Sequence, residues 1–257
     1  MSGDAVRSGP DVVKTRADAP AGFFGFEAAG LAWLGSAGAV RVAAVLDHDR
    51  NHIRLERIVT APATHAAAER FGRDLARMHA AGAAGFGAPP EGWDGPGWIG
   101  RQRQDFGSYD SWGAFYAELR VLPFARAARD LGTLPATGAA AVDRACERLA
   151  AGDFDDDRPP ERIHGDLWAG NVLYDATGAV LIDPAAHGGS GRTDLAMLAL
   201  FGTEHLGRVQ AAYAEAARLS ADWLELTGLH QLHPLLVHAV SHGPSYGAEA
   251  ARIAQRY

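Results

Sequence analysis

Apolar positions recur along the chain with two periods, and together they predict its elements. Ala5-Val6-Arg7 and Val12-Val13-Lys14 predict two short strands around a turn over Ser8-Gly9-Pro10-Asp11. Between Gly22 and Ser36, Phe24, Leu31 and Leu34 stand at i, i+7 and i+10 on one helical face, and Glu27 shares that face. Val40 to Leu46 and His52 to Ile58 predict strands around the polar turn Asp47-His48-Asp49-Arg50-Asn51. Helical character begins at Thr64, with Phe71, Leu75 and Met78 on one face and Gly82 as the stop. His79, beside Met78, is expected as a buried, hydrogen-bonded histidine between two lobes. Gly82 to Gly100 carries Trp93 and Trp98 among its glycines and prolines, which predicts an ordered loop rather than a disordered linker.

Further on, Asp110 is placed to cap a helix whose core face is Trp112, Phe115, Leu119 and Leu122, with Pro123 kinking or breaking it. Arg120 faces away from that stripe. A helix over Ala139 to Ala151 packs Val142, Cys146 and Leu149. Val172-Leu173-Tyr174 and Ala179-Val180-Leu181-Ile182 flank the turn formers Asp175 to Gly178, so this segment folds back as a hairpin. His187-Gly188-Gly189-Ser190-Gly191 reads as flexible, and Asp194 is placed to cap the apolar helix after it, bracing the loop before the hairpin. Glu204 to Tyr257 reads as helical with alanine-rich faces.

Composition narrows the function classes. A chain of 257 residues, 47% apolar and 21% charged, buries a sizeable core. Its net charge of -7, with no lysine-arginine cluster, argues against a nucleic-acid partner. The acidic run Gly152 to Asp157 reads as a solvated loop. His230 with His233, and His238 with His242, have ligand-like spacing, but no cysteine or acid accompanies them and Pro234 breaks the register between the pairs, so core or interface roles are expected. A single cysteine, Cys146, fits a reducing, cytoplasmic setting. No apolar stretch is long enough to span a membrane, and the start lacks signal-peptide features.

Ile163 to Ala185 carries the chemistry. His164-Gly165-Asp166-Leu167-Trp168-Ala169-Gly170-Asn171 sets a carboxylate five positions before a carboxamide, in a loop too rich in glycine for a helix. That spacing matches the Asp and Asn of the kinase catalytic loop, and the hairpin then delivers Asp183 beside Asn171. Phosphoryl transfer from ATP needs a base or positioning group for the attacking hydroxyl, and hard oxygen ligands that hold Mg²⁺ against the phosphates. Asp166 suits the first role, Asn171 and Asp183 the second. Singly, Asp166 would cap a turn, Asn171 fill a left-handed position and Asp183 end a strand before Pro184. All three in this order point to a phosphotransferase.

The run HGDLW-x-GN, followed by Ile182-Asp183-Pro184-Ala185, the glycines Gly188 to Gly191 and Arg192-Thr193-Asp194-Leu195-Ala196-Met197, resembles the fructosamine (ketosamine-3-) kinase family. That family lies within the aminoglycoside phosphotransferase and choline kinase superfamily. Leu232 to Val240 with Tyr246-Gly247 resembles the family's C-terminus, so the likeness covers nearly the whole chain. It implies an α+β, bilobal, protein-kinase-like fold: a small sheet-plus-helix nucleotide lobe over residues 1–59 and a larger, mainly helical catalytic and acceptor lobe over 60–257. It implies that Lys14 pairs with the nucleotide's α- and β-phosphates, and that Glu27, costly on an apolar face unless paired, is the partner of Lys14. Leu55-Glu56-Arg57-Ile58 resembles the family's hinge, where backbone groups meet the adenine edge; a plain strand end is the alternative. Arg120 is either a solvated charge or, on the family analogy, part of the acceptor cleft.

The implied reaction is ATP-dependent phosphorylation of a sugar hydroxyl of a ketosamine such as fructosamine, free or on a lysine side chain, with Trp168 offering a flat face to the sugar ring. Two departures from the family accompany the likeness. Thirteen residues before Lys14 are too few for two full strands and a glycine-rich phosphate cover, so the first strand is expected to be missing and the cover to fall to Met1 to Gly3. After Ile99-Gly100, Arg103-Gln104-Asp105-Phe106 replaces the Pro and Asn of the family's stretch. Rival readings are a related kinase acting on an aminoglycoside, choline or another alcohol, and a non-catalytic nucleotide-binding protein. Glu204, Glu215, Asp222 and Glu225 are too scattered to decide the acceptor.

Overall fold

The two strands expected at the start form one antiparallel hairpin, β1 (Asp4–Ser8) with β2 (Asp11–Thr15). The computed structural model describes residues 4–9 and 11–257, so Met1 to Gly3 and Pro10 lie outside the described residues. Helix α1 (Phe23–Gly35) follows, and its buried face holds Phe24, Leu31, Leu34 and Glu27, the set given by the periodicity. The strand expected over residues 40–46 is divided into β3 (Arg41–Val42) and β4 (Val45–His48), with β5 (His52–Glu56) after it. The break has a visible cause: the Ala44 N–H donates to the Glu56 carboxylate at 2.9 Å, and β3 turns away to pair with a distant strand. β1, β2, β5 and β4 form a four-stranded sheet in that order, with Phe24, Leu31, Ile53 and Leu55 packed between it and α1.

Helix α2 (His65–Ala80) starts where Thr64 Oγ1 accepts from Ala67 N–H at 3.1 Å, and it stops before Gly82 at φ +76°. The ordered loop after it includes a small hairpin, β6 (Gly97–Ile99) with β7 (Gln102–Gln104). Next come α3 (Trp112–Phe115), a π-helical turn over Tyr116–Val121, α4 (Leu122–Asp130) and α5 (Ala136–Ala150). Ser111 rather than Asp110 caps α3, its Oγ accepting from Ala114 N–H at 3.2 Å. The acidic run is not simply solvated, since Asp155 accepts from Ser111 Oγ at 2.6 Å and Gly113 N–H at 2.7 Å. Strand β8 (Glu161–Ile163) leads into the loop before β9 (Val172–Asp175) and β10 (Gly178–Leu181), which form the expected hairpin. β3 pairs in parallel with β10, joining the two lobes.

The chain closes with β11 (His187–Gly189), α6 (Gly191–Phe201), α7 (Leu206–Ala217), a short α8 (Thr227–His230), α9 (Leu232–His242) and α10 (Pro244–Ala254). β11 corrects the expectation of a flexible glycine segment, because it pairs with β8 and is buried. These glycines serve close packing: a Cβ on Gly188 would meet Gly85 O at 2.1 Å, and one on Gly191 would meet His79 Nδ1 at 2.2 Å. Pro234 does not break the helix, since it lies in the first turn of α9, where no intrahelical N–H bond is lost.

Gly72 lets α7 approach α2, since a Cβ there would meet Val209 O at 2.3 Å. Gly72→Ala gains about 1 kcal/mol of helix propensity and incurs about 1–3 kcal/mol of overpacking against a backbone that cannot rotate away. A lower urea midpoint is therefore expected. A more stable variant would mean that the two helices separate freely.

His187, His230 and His233 are buried at 3%, 2% and 3% exposure, and burial pushes each imidazole well below its ordinary value of 6.5. The unfolded chain therefore binds protons that the fold rejects, so their contribution is full above pH 6.5 and is lost as pH falls below it. Each histidine kept wholly neutral costs the fold about 1.4 kcal/mol per pH unit below that point. Asp166, whose carboxyl burial raises, works in the opposite direction and offsets roughly one of them. Urea unfolding at pH 7.5 and 5.5 should show a net loss at the lower pH; an unchanged midpoint would place these imidazoles in contact with water.

Candidate active site

The loop between β8 and β9 is held from below. His164 is wholly buried, its Nε2 donating to Ile182 O at 2.9 Å while Nδ1 accepts from Asp166 N–H at 3.3 Å. That tautomer belongs to a neutral ring, in keeping with the lowering of its pKa by burial. Asp194 accepts His164 N–H at 2.7 Å and Gly165 N–H at 2.9 Å, and its Oδ2 lies 3.1 Å from His79 Nε2. It therefore braces the loop, as expected, but from within the first turn of α6 rather than as its cap. His79, also bonded to Tyr213 OH at 2.8 Å, is buried within the larger lobe and not between lobes. Gly165 takes φ +79°, and a Cβ there would meet Ala185 O at 2.3 Å.

On this base the three expected side chains converge. Asn171 Nδ2 donates to Asp166 O at 2.8 Å, Asp166 Oδ2 at 3.3 Å and Asp183 O at 3.4 Å. Those bonds occupy the amide nitrogen and leave Oδ1 for another partner. Asp183 follows β10 at φ +55°, a left-handed conformation that is sparse for a side-chain-bearing residue and less costly for aspartate than for most. Burial raises the half-buried Asp166 carboxyl to about 7, against the lowering effect of Asn171's hydrogen bond. Asp166 thus stands near neutrality, where a general base is most useful.

From the small lobe, Lys14 Nζ donates to Glu27 Oε1 at 2.6 Å and also to Asp183 Oδ1. The pair expected from the stranded acid on α1 is present, with Lys14 7% and Glu27 6% exposed. Asp166, Asp183 and Glu27 line one cavity with Phe23, Trp98 and Gly100, so the tip of the β6–β7 hairpin faces these three carboxylates. A larger groove, lined by Ala28, Ala29, Ala32, Val42 and His48, lies between α1 and the β3–β4 stretch and holds none of them. Among the described residues no group of three or more His, Cys, Asp and Glu could hold a metal alone. One carboxylate with one carboxamide oxygen instead suits Mg²⁺, which is bound through few side chains together with phosphates.

Trp168 is 40% exposed two residues beyond Asp166, and a Cβ on Gly170 would meet its ring at 2.3 Å, so glycine makes room for the indole. The hinge candidates stand apart from this group. Glu56 is engaged by Arg41 at 2.7 Å and by Ala44 N–H, and Arg57 Nη1 donates to Gly9 O at 3.2 Å, while Ile58 is half-buried just after β5. Any nucleotide contact there falls to the backbone.

Arg120 departs from both expectations. It is 1% exposed, neither solvated nor on an open cleft. The π-helical turn shifts the register, burying Tyr116, Ala117, Arg120 and Val121 and leaving Leu119 and Leu122 only partly covered. Pro123 has no N–H for Leu119 O, and Arg120 Nη1 takes that carbonyl at 3.0 Å as well as Asp105 O at 2.8 Å. Burial lowers its guanidinium to about 9, still charged at neutral pH.

Comparison with known proteins agrees with this geometry. The family model for fructosamine kinases matches residues 7–257. A Synechocystis sp. relative named as a ketoamine kinase is 30% identical over 236 residues, covering 90% of this chain and 77% of that protein. A crystal structure from Thermobifida fusca YX-ER1, assigned to fructosamine-3-kinase, is 45% identical with a TM-score of 0.88, covering 96% of this chain and 86% of the other. An aminoglycoside phosphotransferase in ternary complex with AMP-PNP and hygromycin B shares the fold, with a TM-score of 0.58 at 18% identity, over 96% of this chain and 84% of that one.

Proposed function

The chain belongs to the fructosamine kinase family and is a phosphotransferase with an alcohol group as acceptor, and from that premise we propose that its site moves the γ-phosphoryl group of ATP to a sugar hydroxyl of a ketosamine such as fructosamine, free or on a lysine side chain. One observation carries the reading: Asp166 and Asp183 face one cavity, Asn171 ties their two segments together, and Lys14 spans Glu27 and Asp183. Asp166 takes the proton of the attacking hydroxyl. Asn171 and Asp183 are the residues that would hold Mg²⁺, which supplies charge neutralisation on the phosphates when bound. Lys14, aimed by Glu27, holds the α- and β-phosphates, and the backbone at Glu56 to Ile58 meets the adenine edge. Trp168 offers its exposed face to the sugar ring. On this division, residues 1–59 handle the nucleotide and 60–257 the acceptor and the chemistry. The free, buried Cys146 fits a cytoplasmic setting.

The test is phosphoryl transfer from labelled ATP to a panel of fructosyl-lysine, fructosyl-glycine, an aminoglycoside and choline. Ketosamines are expected to give the highest kcat/KM. Turnover of the aminoglycoside or choline, with none of either ketosamine, would sink the acceptor assignment while leaving the phosphotransferase intact.

A further inference from the structure

The aromatic surface beside Asp166 does not end at Trp168. The Trp168 ring meets Phe201, at the end of α6, edge-on with centroids 6.5 Å apart. Phe201 meets His238 of α9 at 4.8 Å, and His238 lies 5.1 Å from Tyr246 of α10 and stacks on His242 at 5.0 Å. These rings come from the catalytic loop and three separate helices; His238, His242 and Tyr246 follow at four-residue steps, whereas Trp168 and Phe201 join the row only through the fold. Trp168 and Phe201 are 40% and 38% exposed, and His242 is exposed beyond them. His238 is fixed by its Nδ1 bond to Pro234 O at 2.7 Å, and burial keeps its imidazole below the ordinary value, so at neutral pH it shows an uncharged ring. The phosphoryl-transfer group uses none of the rings beyond Trp168.

We infer that Phe201, His238, His242 and Tyr246 form a subsite for the amine substituent of the acceptor, selecting ketosamines whose amine carries a flat aromatic group. The inference rests on the ketosamine reading above. The row begins at the ring assigned to the sugar, so a substituent on the sugar's amine runs onto Phe201 and then toward the histidines. Aromatic rings gain from edge-to-face and offset packing beyond the area they cover, whereas a glycine substituent ends before reaching them. The protonated amine itself is attracted to the face of Trp168 in every ketosamine and does not discriminate.

The experiment compares kcat/KM for fructosyl-tryptophan and fructosyl-glycine at saturating Mg-ATP. The wild-type ratio is expected to favour the aromatic acceptor by about tenfold, and Phe201→Ala to lower that ratio about five- to tenfold. Phe201→Leu, which keeps apolar bulk at the end of α6, should lower it too, with thermal melting followed to establish that both variants are folded. His242→Ala removes an exposed ring and should lower the ratio by a smaller factor. Equal kcat/KM for the two acceptors in the wild type, or a ratio that no substitution moves, would overturn the subsite alone. If no ketosamine is phosphorylated, the acceptor reading falls and the subsite with it.

Discussion

Asp166→Ala is expected to lower kcat by about 10²- to 10⁴-fold while leaving the Kd for Mg-ATP nearly unchanged, whereas Asp183→Ala loses both. The difference follows from what each carboxylate touches. Asp166 meets only the Asn171 amide among the phosphoryl-transfer side chains, and its carboxyl, raised to about 7, is placed for a proton and not for a phosphate. Asp183 is bonded to Lys14, so its removal takes away the proposed metal ligand and also leaves Lys14 held, among the described residues, by Glu27 alone. Single-turnover assays with isothermal titration of Mg-ATP separate the two outcomes. An Asp166→Ala enzyme that retains most of its kcat would remove the base from Asp166, and an Asp183→Ala enzyme that binds Mg-ATP normally would move the metal elsewhere.

What the sequence disclosed and what it concealed divide along a physical line. Asp166, Asn171 and Asp183 were legible because a loop and a hairpin of fixed length carry them, so spacing alone brings them together. Glu27 was legible as an energetic anomaly, an acid on an apolar face whose cost demands a cation, and Lys14 was near enough in sequence to be named. The pairing of β3 with β10, across well over a hundred residues, left no local trace, and the division of β3 from β4 depends on it. Arg120 was misplaced because a π-helical turn adds a residue to the helical period, and no periodicity of 3.6 anticipates that. The glycines after His187 were misread because glycine has two uses: freedom for the backbone, and absence of a side chain where another backbone must come close. Only the positions of Gly85 O and His79 Nδ1 distinguish them.

Asp194 shows the same limit and sets the second large expectation. Its position at the start of an apolar helix reads as a cap, yet its oxygens take the His164 and Gly165 N–H groups and lie against His79, all within a region where Asp194 is 1% exposed. Asp194→Ala therefore does more than remove a side chain, because it strands buried donors that no water reaches. Each buried donor left without a partner costs about 1–3 kcal/mol, so stranding the two backbone N–H groups removes a large part of a typical domain's stability of about 5–15 kcal/mol. The same donors fix the loop that carries Asp166, and a shift of about 1 Å at a reacting group lowers turnover by about 10²-fold. Asp194→Asn keeps one acceptor but turns an NH₂ toward N–H donors, so it should fall between wild type and alanine in both stability and kcat. Urea midpoints and kcat measured on the same preparations test the coupling. An Asp194→Ala protein with wild-type stability would mean that the loop finds other acceptors, and one that loses stability but keeps its kcat would show that Asp166 is positioned without it.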